Sequence, residues 1–302
     1  MTQFSTYEQV GIKEDVSDVI SNISPTKTPF TSLVKGKKHK AKKIEWQEED
    51  LRAVADNAKV EGFVAASTAR TPTEMKENVT QILSDTIDVA ATSDEVDTYG
   101  RAREIAHQLH NVSKELKRDL EHAYVGTGQA MVAGDKTTAR KFAGVQNQIH
   151  ADVTITIDSD AGTAGDQAGP LTETALLDAN ENLYDEGSEA TVIMVKPRDA
   201  RVIADFGAAS GRTRDLQGKT KLVNVVDLYV SPYGEQKVVI NRFIRATDAL
   251  IFDPSMWERC YLRNWQRETL AKIGDSTRIM VVGEFSLRHK NEKGSALITN
   301  LS

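Results

Sequence analysis

Residues Arg101–Val125, RAREIAHQLHNVSKELKRDLEHAYV, bring Ile105, Leu109, Val112, Leu116, Leu120 and Tyr124 round at steps of four and three. That recurrence is helical and lines these apolar side chains along one stripe. Glu104, Lys114, Lys117, Arg118 and Glu121 fall on the opposite face. Neither Pro nor Gly interrupts the run, and Gly126 follows it as a stop signal. At 1.5 Å per residue such a helix is roughly 35–40 Å long. It spans a small domain and acts as a strut, which requires a layer against the apolar stripe and something to hold at its ends.

The rest of the composition narrows what that layer can be. A chain of 302 residues with 39% hydrophobic residues can build a real core, but the apolar share is low. A surface-rich fold or long arms are expected. Cys260 is the single cysteine, so no disulfide staples the chain. No apolar run approaches the ~20 residues of a membrane span, and MTQFSTYEQVGIKEDVSDVI has no basic-then-apolar leader pattern. A soluble, intracellular product with no membrane partner is expected. The formal charge of −6 argues against wholesale gripping of nucleic acid.

Taken in order, SNISPTKTPFTSLV reads as an arm lying on another surface, with Ile23, Phe30 and Leu33 as anchors, because residues before Pro25 and Pro29 are pushed out of the helical region. Lys35–Lys43, KGKKHKAKK, precedes the acidic IEWQEED, and the two blocks are expected to pair between subunits rather than to bind phosphate. From Ile44 to Val89 the apolar residues are scattered, with a break at Arg70–Thr73 and a returning strand from Asn78 to Val89. A segment that buries so little by itself acts through partners. Beyond the strut lie a Gly-rich stretch and a strand at Val153–Ile157. Thr172–Glu186 is a second helix with Thr172 as N-cap and Gly187 as stop. A strand at Thr191–Val195, a helix opened by Pro197 and a hairpin around Ser231–Gly234 complete an α/β lobe. Leu250–Phe252, Trp257–Leu262, Arg278–Arg288 and Ser295–Leu301 are expected to form one antiparallel sheet on the strut.

Motifs for chemistry fail on spacing. Gly218-Lys219-Thr220 has Thr213 where a phosphate loop needs Gly, and a strand rather than a helix follows. Gly126-Thr127-Gly128 lacks the third Gly of a dinucleotide fingerprint at Met131. His107 and His110 lack a third metal ligand beyond Glu104, and Cys260 in its alternating strand reads as a small buried hydrophobe. Asp158, Asp160 and Asp166 miss calcium-loop spacing. No catalytic, cofactor or metal residue is expected, and the chain is not read as an enzyme.

The phrases ISNISPTKTPFTSLV, KKIEWQEEDL and LAKIGDSTRIMVVGEFSLRHKNEKGSALITNL, with the return strand Glu74–Ile82, resemble tailed-bacteriophage major capsid proteins, notably a group of podophage and siphophage coat proteins. The order of elements matches too, across almost the whole chain. The resemblance implies an α+β Hong Kong 97-type fold. Residues 1–42 would be the N-terminal arm, 43–92 the extended loop, 93–170 the peripheral domain with its spine helix, 171–247 the axial domain and 248–302 the return to the peripheral sheet. It implies self-assembly into hexamers and pentamers of an icosahedral phage head enclosing double-stranded DNA. Partners would be a separate scaffolding protein, a portal and in some cases a decoration protein, with assembly in the host cytoplasm and no cleavage of the arm. Some relatives crosslink Lys to Asn; Lys59 is a conceivable donor without an identified acceptor. Lys37, Lys38, Lys40, Lys42, Trp46, Glu48, Glu49, Phe63, Arg70, Arg212 and Arg214 are the candidate inter-subunit contacts, the last two in a loop crowding the symmetry centre. The alternatives are an encapsulin-like nanocompartment holding protein cargo and a nucleotide-binding module at Lys219.

Overall fold

The computed structural model describes residues 27–65, 67, 70–96, 103–159, 167–209 and 228–302. Expectations for the arm before Lys27, for Arg212 and Arg214, for Gly218-Lys219-Thr220 and for Asp160 and Asp166 lie outside the described residues. Among those residues no helix is long and apolar enough to cross a membrane.

The described chain opens with a short helix α1 (Pro29–Leu33) and strands β1 (Lys35–Lys38) and β2 (Lys43–Glu48), and returns through β3 (Glu74–Val79) and β4 (Gln81–Ala90) to the turn α2 (Ala91–Glu95). The strut is helix α3 (Glu104–Val125). At its start, the carboxylate of Asp94 accepts the Ile105 amide at 3.1 Å, placing negative charge at the positive end of the helix dipole. At its end Gly126 keeps a right-handed conformation (φ −105°). The requirement for glycine there is steric, because a Cβ would collide with the Phe243 carbonyl oxygen and the His122 ring.

The apolar stripe of α3 serves two cores. Val112 and Leu116, with Ile105 and Leu109, lie against Ile87, Ile279 and Val281. Leu120 and Tyr124 continue into the larger core of Phe30, Phe142, Phe252, Trp257, Phe285 and Leu287. The first core is built on a four-stranded sheet ordered β1-β10-β11-β4, where β10 is Trp257–Thr269 and β11 is Ser276–His289. Only β1 runs parallel to its neighbour.

The other lobe is a six-stranded sheet ordered β5-β12-β9-β6-β8-β7. Its strands are β5 (Thr154–Thr156), β6 (Val192–Val195), β7 (Leu228–Ser231), β8 (Gly234–Ile240), β9 (Ala249–Phe252) and β12 (Ser295–Thr299), flanked by α4 (Glu173–Asp185) and α5 (Pro197–Ala209). The expected caps are in place. Thr172 Oγ1 accepts the Ala175 amide at 3.2 Å, and Gly187 ends α4 in the left-handed region at φ +81°.

Three expectations are corrected. The four C-terminal strands do not share one sheet: β9 and β12 belong to the six-stranded lobe and only β10 and β11 cover the strut. All of β9 is buried and so is most of β12, which suits strands covered on both faces, whereas β10 buries only Trp257 and Cys260 and ends in exposed polar residues. The returning strand is two strands, broken at Thr80, whose amide donates to Lys42 O at 2.8 Å and whose hydroxyl donates to Glu284 Oε1 at 2.6 Å. Phe30 is no anchor on a foreign surface, since it is 0% exposed and stacks among Tyr124, Phe252 and Trp257 of its own chain.

Glu121, placed by its spacing on the charged face of the strut, is fully buried instead. Its Oε1 accepts the Phe30 amide and the Asn241 side-chain amide, each at 2.8 Å, and its Oε2 accepts the Thr31 amide at 2.8 Å and the Thr31 hydroxyl at 2.5 Å. Four donors compensate the cost of taking this carboxyl group out of water. Replacing Glu121 with Ala strands the three amides, each costing about 1–3 kcal/mol when buried and unpaired. Denaturant unfolding of Glu121→Ala is expected to show a loss of roughly 3–5 kcal/mol, and Glu121→Gln, which keeps one acceptor oxygen, a smaller loss.

Candidate functional surfaces

Two surfaces carry the residues singled out by sequence. The first is the β2–β3 hairpin and the excursion it supports. The strands pair antiparallel from Lys43↔Val79 to Glu48↔Glu74. Their alternation points Ile44 and Trp46 inward, where both are buried with Cys260, and Arg288 lies 5.7 Å from the Trp46 ring centroid. Trp46 is therefore held by its own chain. The outer face is ionic: Lys43 lies 2.8 Å from Glu45 and also contacts Glu77 across the ladder. Hydrogen bonds donated to Glu45 first, then to Glu77, raise the pKa of the Lys43 ammonium to about 12.

Beyond Glu48 the described residues up to Thr73 form no strand or helix. Leu51, Val54, Val60 and Val64 are 91%, 102%, 78% and 91% exposed, and Phe63 is 55% exposed. Glu49, Lys59 and Arg70 are exposed beside them. The foot of this excursion, by contrast, is clamped. Lys76 bridges Glu74 at 3.2 Å and Glu292 at 2.8 Å, while Glu48 Oε2 accepts the Glu292 amide at 3.1 Å. Lys293 sits 3.1 Å from Glu186, 3.9 Å from Asp152 and 4.0 Å from Asp50. Glu48, Glu49, Asp50 and Glu74 thus rim a cleft of about 340 Å³ that the two lysines partly neutralise.

Below the clamp lies a buried histidine. His289 is 1% exposed and stacks on Trp257 with centroids 4.0 Å apart. Its Nδ1 donates to Gln148 O at 3.0 Å, and its Nε2 accepts from the Ser295 hydroxyl at 3.0 Å, which in turn accepts the Trp257 indole N–H at 2.9 Å. That arrangement uses both ring nitrogens of a neutral imidazole. Burial pushes its pKa down to about 4, against a small opposing effect of the Gln148 carbonyl.

The second surface is the basic edge. β1 carries Lys35, Lys37 and Lys38, all exposed, and Lys40 and Lys42 are exposed in the turn that follows. The strand pairs Lys35↔Glu258 through Lys38↔Tyr261, and Lys37 reaches Glu258 at 3.9 Å. Arg259 Nε donates to Val34 O at 2.8 Å and fixes the entry to the strand. The basic run is thus in part a sheet edge, and Lys43 at its end pairs with acids of its own hairpin. His39, next after β1, places Nε2 3.1 Å from Glu258 Oε1, and Cys260 Sγ lies 3.9 Å from the same oxygen. Burial pushes the Cys260 thiol up to about 12, so without a cation beside it the group keeps its proton. Sequence proximity gave no hint of this trio, because His39 and Glu258 are 219 residues apart. His107 and His110, by contrast, join no metal-holding group among the described residues; His107 Nε2 meets Asn111 at 3.2 Å.

The family model described as SU10 major capsid protein matches residues 1–302. A protein named major capsid protein from Escherichia phage Phieco32 is 30% identical over 340 residues, covering 98% of this chain and 96% of that protein. Among solved structures, the Cyanophage A-1(L) capsid asymmetric unit aligns with TM-score 0.74 at 12% identity, over 96% of this chain and 97% of that one. The SrpI encapsulin of Synechococcus elongatus aligns with TM-score 0.62 at 10% identity, over 100% and 96%. These structural likenesses establish the fold.

The buried imidazole sets a pH dependence. An unfolded histidine takes its proton near 6.5 and the folded one only near 4. In that window the unfolded state binds more protons, so stability rises with pH. The His289 contribution is complete above about 6.5 and falls away towards pH 4, by roughly 3 kcal/mol in all. Denaturant unfolding of the wild type and of His289→Gln across pH 4–7 is expected to show a gap that narrows as pH falls.

Proposed function

The chain belongs to the SU10 major capsid protein family and has the Hong Kong 97-type fold, and from that premise we propose how this phage capsid protein builds its shell. As a major capsid protein it is a component of the virion. Copies close as hexamers and pentamers into an icosahedral head around double-stranded DNA, with no enzymatic step performed by the chain. Assembly takes place in the host cytoplasm on a separate scaffolding protein and a portal, and packaged DNA is contacted without sequence preference. Decoration proteins are a further class of partner for the finished surface. In this reading α3 and the four-stranded sheet form the peripheral domain, and the lobe around α4 and α5 forms the axial domain. The excursion between Glu48 and Glu74 is the extended loop. Head-to-tail contacts of this kind close into rings when the rotation permits.

One observation carries the proposal. Leu51, Val54, Val60, Phe63 and Val64 stand out in solvent on a segment whose foot is ionically fixed. Full burial of such side chains is worth about 1.5–3 kcal/mol each, and this chain leaves that apolar surface uncovered. A neighbouring copy is the surface that a shell supplies at every position, with Phe63 and Arg70 on the contact. The exposed Lys37, Lys38, Lys40 and Lys42 make the complementary polar rim, joined by Glu48 and Glu49. Individual rim pairs are weak, about 0.2–1 kcal/mol each, so their effect comes from repetition around the particle. A nanocompartment shares this architecture; nuclease-protected DNA inside the particle separates the head from a container of protein cargo.

Deleting Ala53–Pro72 is expected to leave the subunit's circular dichroism and unfolding midpoint intact while electron microscopy shows absent or fragile shells; normal shells would refute the role of the excursion. Replacing Lys37, Lys38, Lys40 and Lys42 by Gln is expected to lower the yield of particles in an assembly assay with the subunit's unfolding midpoint unchanged. Loss of the folded subunit instead would assign these lysines to folding.

A further inference from the structure

The end of β1 gathers three different metal-binding groups. Among the described residues, His39, Glu258 and Cys260 are the group of imidazole, carboxylate and thiol whose ligand atoms all lie within 4.8 Å of one another. They come from two chain segments brought together by the edge pairing. Glu258 and Cys260 are two residues apart on β10 and so share a face, and His39 continues β1, its amide donating to Tyr261 O at 2.9 Å.

We propose that His39, Glu258 and Cys260 form a binding site for zinc or a similar borderline-soft divalent cation, which pins the C-terminal end of β1 to its neighbour in the sheet. Thiolate and imidazole together select this class over calcium or magnesium, which take oxygen ligands. The geometry is close to what tetrahedral zinc needs. With Zn–N, Zn–O and Zn–S distances of roughly 2.0–2.3 Å, a tetrahedral site sets N···O about 3.4 Å and the distances to sulfur about 3.6 Å. Here the N···O separation is 3.1 Å and the S···O separation 3.9 Å. The N···O edge lengthens and the S···O edge shortens by a few tenths of an ångström each, and the third edge shortens by at most about 1.2 Å, within reach of the His39 side chain, which is partly exposed. Binding replaces the Cys260 S–H bond by an S–metal bond and releases that proton to solvent. Three protein ligands leave the fourth tetrahedral position to water, on the partly exposed His39 side. Two cations stand near: Lys37, 3.9 Å from Glu258 on an exposed side chain that can swing away, and Arg288, held over Trp46.

The site has something to hold. β1 is four residues long, every one of them exposed, and three of them are lysines. Such a strand has few side-chain contacts to fix it beyond its ladder of backbone hydrogen bonds, Lys37–Glu258 and the Arg259 bond to Val34 O. A metal at its far end would close the strand from both sides, with α1 and Glu121 at the near end and His39 at the other. The occupied site would therefore set how firmly the basic edge is presented to its surroundings.

The test uses the full-length protein, stripped with chelator and titrated with Zn²⁺ against a chromophoric competitor, and separately with Co²⁺ under anaerobic conditions. One equivalent of Zn²⁺ is expected to bind, at least tenfold more weakly in Cys260→Ser and in His39→Asn. Bound Co²⁺ is expected to give the intense visible bands of a tetrahedral site together with a thiolate-to-metal charge-transfer band that Cys260→Ser removes. The cobalt spectrum of the unaltered protein keeps the proposal falsifiable even where a variant fails to fold. A weak octahedral cobalt spectrum without the sulfur band, or zinc affinity equal in the unaltered protein and in a folded His39→Asn, overturns it.

Discussion

The buried carboxyl group of Glu121 is the constraint on which the two lobes and the entering chain jointly depend. It leaves the strut α3 on one side, receives the amides that begin α1 and takes the side chain of Asn241 from the end of β8. Each contact fixes a different segment, so one side chain decides where Phe30 enters the core and how the six-stranded lobe meets the strut. Phe30 contributes apolar area, about 1.5–3 kcal/mol on full burial. An apolar side chain alone does not define direction, however. Direction comes from the hydrogen bonds, which are satisfied in only one arrangement.

The same logic recurs at two further points. Glu284, on β11, accepts Thr80 at 2.6 Å and Arg140 at 2.8 Å on one oxygen and Arg263 at 3.2 Å on the other. Asn78, just before the break in the returning strand, donates to Leu287 O at 2.6 Å and accepts the Ala143 amide at 2.8 Å. These nodes hold the crossing of β3 into β4 while both strands change partners. Polar groups thus steer the chain where apolar packing is indifferent, and the largely apolar cores fill in around them. The excursion is the reverse case, with apolar side chains that stand exposed.

Much of this frame was readable in advance because its signals are local. The stripe on α3, Thr172 as cap, Gly187 as stop, Pro197 as opener and the Ser231–Gly234 turn each follow from rules that act within a few residues. What escaped depends on pairing across the chain. Glu121 sits where helical periodicity puts a solvated residue, and only the approach of α1 makes it interior. β9 and β12 read as strands correctly, but membership of a sheet is not a local property. Their continuous apolar runs, Ala249–Phe252 and Ala296–Ile298, carried a signal for a doubly covered sheet that the largely polar Trp257–Thr269 lacks. The joining of His39 to Glu258 and Cys260 rests on a parallel register that no local pattern encodes. The basic edge and the excursion were visible as composition, and their geometry was not.

The foot of the excursion has a mechanical consequence. Beside the β2–β3 ladder, its attachment rests on ion pairs, with Lys76 and Lys293 each shared among acidic side chains near the surface. Attractions of this kind lose strength as dissolved ions shorten the reach of charge, to about 8 Å at physiological ionic strength and about 3 Å at 1 M. The body of the subunit, set by buried hydrogen bonds and packing, does not share that sensitivity. The grip on the foot of the excursion therefore has one part that responds to the surrounding electrolyte, the lysine clamp, and one that does not, the β2–β3 ladder.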